Sequence, residues 1–78
     1  MKEPEWIKTE EINLEVAKRL REIRRAKKIS QERLWYLSGV ALGSIKRFER
    51  TGNISFAHLT KIAFVLGELE AIESVFKK

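Results

Sequence analysis

The chain has 78 residues, a formal charge of +5, one histidine, no cysteine and no aspartate. That composition excludes disulfides, thiolate or zinc sites and Ser–His–Asp or Cys–His catalysis, so neither an enzyme nor a metal or cofactor is expected. No apolar run approaches the ~20 residues of a membrane span and the N-terminus lacks a signal-peptide core, so a cytoplasmic protein with no membrane partner is expected.

Charge is unevenly placed along the chain. Residues 1–15 hold two lysines against five glutamates, a net −3, whereas residues 16–50 hold eleven Lys and Arg against three glutamates, a net +8. Such a basic segment is the footprint expected of a chain that meets a polyanion. The first dozen residues carry the only proline, Pro4, then Trp6 and Ile7 among charges. They read as an N-terminal arm, residues 1–12, ahead of a single domain over 13–78. From about Leu14 to Lys27, Val16, Ala17, Leu20 and Ile23 recur at three- and four-residue steps, predicting an amphipathic helix. Asn13 is its expected N-cap, with Glu15 in the first turn. Arg24, Arg25, Lys27 and Lys28 complement the dipole at the other end.

Ser30 is placed to cap a second helix over Gln31 to about Ser38, which Gly39 ends in a left-handed turn. A third helix is expected over roughly Ala41 to Arg50, broken by Thr51-Gly52-Asn53. Ser55 caps a fourth, with Leu59, Ile62, Ala63 and Leu66 as its apolar stripe. After Gly67, the residues Leu69, Ile72, Val75 and Phe76 mark a fifth. No stretch alternates with period two for long enough to form a sheet. The fold expected is all-α, five packed helices.

The third helix has two unlike faces. With Leu42 set at zero on a helical wheel, Gly43, Lys46, Arg47 and Arg50 fall within about 140° of arc, while Ala41, Ile45 and Phe48 cluster opposite. One side is made for burial and the other for something negative. Lys46 and Arg47 suit the O6/N7 edge of guanine, and Leu42 suits a thymine methyl. Gly43 costs the helix up to about 1 kcal/mol, yet leaves its backbone open to close approach. Gln31 and Ser44, near helix N-termini, suit phosphate, as does Arg50.

These segments resemble a known family. Leu20-Arg21-Glu22-Ile23-Arg24, Ile29 to Leu34, Ser38-Gly39-Val40 and Ser44-Ile45-Lys46-Arg47-Phe48-Glu49 are similar to the Cro/repressor-type (XRE) helix-turn-helix proteins. Leu59 to Gly67 resembles the fourth-helix signature of that family. The resemblance covers about residues 14–76. It implies a lambda-repressor-like fold of five helices, a homodimer, and repression of transcription through double-stranded operator DNA. It further implies Leu42, Gly43 and Lys46 as base-reading residues with Ser44 and Arg47 nearby, Gln31 on phosphate, and Asn53 and His58 in the region that touches backbone phosphates. Leu34, Ile45, Phe48 and Glu49 are then structural.

Four residues depart from the family pattern. Trp35 stands where alanine is usual, at a close approach of two helices. Ala41 replaces a Ser/Thr cap, Lys28 a frequent glycine, and Ile54 stands near a frequent proline. The run from Gly43 to Gly52 is also similar to regulators encoded beside kinase-type toxins of the HipA class. The alternative function is therefore an antitoxin that binds a toxin protein as well as its operator. An RNA-binding reading lacks an aromatic sheet face on which bases would stack.

Overall fold

Five helices and no strand make up residues 5–78, the part described by the computed structural model, with side chains described from residue 8 onward. They are α1 (Glu5–Ala26), α2 (Gln31–Ser38), α3 (Leu42–Thr51), α4 (Phe56–Val65) and α5 (Leu69–Glu73). The all-α, five-helix expectation holds.

The start of α1 is a correction. The helix begins at Glu5, so residues 5–12 of the expected arm are helical and Asn13 lies within the helix instead of capping it. The Glu, Lys and Ile of this stretch carry only small intrinsic costs in a helix, and helix already formed downstream propagates into it. Residues 8–15 are all exposed. Residues 1–4, with Pro4, and the side chains of Trp6 and Ile7 lie outside the described residues.

Helix α1 packs on α3, α2 on both α3 and α4, and α4 on α5. Between them Ala17, Leu34, Val40, Ile45, Phe48, Ile62 and Leu66 form the buried core. The core residues of α1, α3 and α4 come from the apolar faces expected of those helices, Leu34 comes from α2 and Val40 from the turn between α2 and α3. Fully burying the Val, Leu, Ile and Phe side chains among them is worth about 1.5–3 kcal/mol each, which is what holds helices this short.

The helix ends follow the local chemistry. Ser30 accepts from the Arg33 amide at 2.9 Å, and Ser55 from the His58 amide at 3.1 Å. Gly39 closes α2 at φ +76°. At the end of α1 the Ile29 amide donates to the Arg24 carbonyl and the Lys28 amide to the Arg25 carbonyl. That places Lys28, where glycine is frequent in the resembling family, at φ +59°. A side chain there costs on the order of 1–2 kcal/mol.

One further expectation is corrected. Helix α5 stops at Glu73, so Val75 and Phe76 fall outside it, and Phe76 is 91% exposed at φ +59°. Its amphipathic stripe has too little to pack on beyond Ile72 to hold another turn. Trp35 is 49% exposed, so its ring is half accommodated at the edge of α2 and not enclosed between helices.

Candidate nucleic-acid interface

Helix α3 separates its two faces as its sequence requires. Ile45 and Phe48 are buried, at 0% and 2% exposure, while Gly43, Lys46, Arg47 and Arg50 are exposed. Leu42 and Ser44 lie half-buried at the border. None of the three cations takes part in an ion pair among the described residues. A helix that buries one side and leaves three uncompensated charges on the other presents a concentrated positive field to solvent.

The inner face is fixed by a polar clamp. Glu49 receives Arg24 twice, Nε to Oε2 at 2.7 Å and Nη2 to Oε1 at 3.0 Å, and it also accepts from Gln31 Nε2 at 2.9 Å. Arg24 Nη1 donates in addition to the Ile29 carbonyl at 2.6 Å. One guanidinium thus ties the end of α1, the turn after it and α3 together, and Gln31 adds the start of α2. A bidentate Arg–carboxylate pair has a narrow angular optimum, so the clamp sets the rotation of α3 about its own axis. Arg24 belongs to this clamp rather than to the exposed basic set in which its sequence position grouped it.

At the C-terminal end of α3, Gly52 is buried at φ +84°. A Cβ there would lie 2.7 Å from the Asn13 carbonyl carbon and 2.8 Å from the Leu14 nitrogen. Only glycine fits so close to the α1 backbone. Gly43 is the opposite case: a Cβ would meet nothing within 4 Å. Its missing side chain answers no packing need inside the protein.

Ser44, Arg47, Asn53 and His58 converge on one open concavity of about 380 Å³ between α3 and the start of α4, with Ile54 and Ser55 completing it. Thr51 Oγ1 donates to the Arg47 carbonyl and accepts from the Asn53 amide, so the loop that carries Asn53 is held to α3. A guanidinium, an imidazole, an amide and two hydroxyls around an open cleft make a donor set suited to phosphate oxygens. Ser55 is the member that sequence reading assigned only to capping.

The other expected site residues lie apart from this cleft. Gln31 turns one amide N–H to Glu49 and has a second N–H that this bond does not use. Arg50 is exposed on the outer face, in the last turn of α3. Leu42 and Gly43 stand at the α3 N-terminus, where Ala41 offers no side-chain cap to the first amides. Those uncapped amides and the absence of acidic residues in the first turn leave that end positive.

Comparison with models of known families, with curated proteins and with solved structures returned no match.

Among the described residues no cluster of three metal-ligating side chains occurs, and no helix is long and apolar enough to cross a membrane.

Proposed function

We propose that this chain is a cytoplasmic, non-catalytic transcriptional regulator of the Cro/repressor type, a homodimer that reads double-stranded operator DNA with α3 in the major groove. The observation that carries the reading is the outer face of α3: Lys46, Arg47 and Arg50 exposed and unpaired beside a glycine with open space above it. An α-helix fits the major groove, and a helix without Cβ at one outward position comes closest to the groove floor. In this reading Lys46, Arg47 and Leu42 meet base edges. Ser44, Asn53 and His58, in the cleft that Arg47 borders, take one phosphate run, while Gln31 and Arg50 meet others. Glu49 and Arg24 aim the helix without touching DNA.

Selection of bound sequences from a pool of random duplexes tests this reading. The expected result is an enriched motif whose two halves are inverted and about one helical turn apart. A pool that returns no enriched motif, or equal retention of single-stranded RNA, would overturn it.

A further inference from the structure

One side of α1 carries apolar surface that the domain covers only in part. Ile12, Val16, Leu20 and Ile23 lie at steps of four, four and three on one side of the helix. Ile12 is 54% exposed, and the other three are half-buried. Val16, Leu20 and Ile23 form one wall of a mainly apolar concavity of about 210 Å³, faced by Leu59, Ala63 and Ile72 and lined also by Arg19 and Glu68. The same trough runs on past Val16 and Leu59 to Phe56, which is 59% exposed. A helical segment as short as residues 8–15, with every side chain exposed, has little stability of its own in water.

Charge identifies what covers this surface. Residues 8–15 carry Glu10, Glu11 and Glu15 against Lys8. Residues 18–28 carry Lys18, Arg19, Arg21, Arg25, Lys27 and Lys28 against Glu22, with Arg24 already neutralised by Glu49. The helix is acidic in its more exposed N-terminal half and basic in its C-terminal half. An antiparallel copy of the same helix sets acidic on basic at both ends, whereas a parallel copy would set like on like.

We infer that a second copy of this chain docks along the α1 trough, its own α1 antiparallel and crossing near Val16. That pairing brings Ile12 of each copy to the Leu20 region of the other and covers Phe56 at the rim. It is an isologous contact, as closed dimers require. The inference deepens the homodimer of the proposed regulator, and its surface meets the candidate DNA face only at Asn53 and Ile54, which line both concavities.

Sedimentation equilibrium of the full chain tests it. The wild type is expected to be dimeric, with association weakened by added salt, and Ile12→Glu to weaken association at least tenfold with an unchanged helical circular dichroism spectrum. The chain has no cysteine, so single-cysteine variants report the direction of pairing. Val16→Cys forms a disulfide dimer on mild oxidation; Ile23→Cys does not, because the two copies of that residue lie roughly 20 Å apart along the helix axes. A wild type that is monomeric at every concentration, as when a different protein covers the trough, overturns the inference. So does a dimer indifferent to Ile12→Glu, or one cross-linked equally through Ile23→Cys. Binding of monomeric Ile12→Glu to a short duplex at low salt keeps the DNA reading intact if the dimer fails. A dimer that ignores duplex fails that reading alone.

Discussion

The two faces of α3 are made of the same helix and obey opposite rules. The inner face is crowded and specified: Ile45 and Phe48 are buried, Glu49 holds two partners, and Gly52 leaves no room for a methyl group. The outer face is empty, with three unpaired cations and a glycine that faces open space. Each inner residue is explained by something inside the protein. The outer residues are explained by nothing inside it, and that asymmetry is the physical basis for placing a ligand there. Substitutions on the inner face should therefore act on folding, and those on the outer face on binding.

The largest effect is expected at Glu49. Its side chain and that of Arg24 are only 7% and 9% exposed. Glu49→Ala leaves a guanidinium with little access to water and is expected to cost about 3–5 kcal/mol in chemical denaturation. That is a large fraction of the ~4–12 kcal/mol available to a domain of this length. A loss under ~1 kcal/mol would reclassify the clamp as an ordinary surface ion pair. Gly52→Ala comes next, at about 2–5 kcal/mol, because it combines a strained left-handed residue with a clash against the α1 backbone. A wild-type melting temperature for Gly52→Ala would show that α1 and α3 separate easily, against the crowding of the inner face.

The same substitution at Gly43 should do the reverse. Gly43→Ala meets nothing in the free protein and is expected to raise stability slightly, by less than ~1 kcal/mol, while weakening duplex binding roughly tenfold by holding the helix off the groove. An alanine variant that is stabilised and binds as well as the wild type would remove Gly43 from the interface and leave the cations to carry it.

Much of this arrangement was legible from local chemistry. The serine caps at Ser30 and Ser55, the left-handed Gly39, the helix break at Gly52 and the three- and four-residue apolar steps each depend on neighbours a few residues away. Those signals survive in one dimension. The division of α3 into two faces was legible for the same reason, since it follows from helical angle alone. The clamp was not: Arg24 and Glu49 are 25 residues apart, and among many basic residues at the end of α1 nothing local marks Arg24 as the buried one. The extent of α1 was missed because the charged, proline-led start of the chain reads as an arm. Helix α5 was drawn too long because its stripe suggested packing that ends at Ile72. The gathering of Ser44, Arg47, Asn53 and His58 around one cleft needed the angle between α3 and α4, which no periodicity contains.

The most direct test of the central claim compares duplex binding by the wild type and by Lys46→Ala and Arg47→Ala, measured by fluorescence anisotropy on a selected and a scrambled duplex across a salt series. The account predicts wild-type affinity that falls steeply with salt, and losses of about 1–3 kcal/mol per variant on the selected duplex that shrink on the scrambled one. Equal affinity of wild type and both variants for the selected duplex, at every salt concentration, would contradict it.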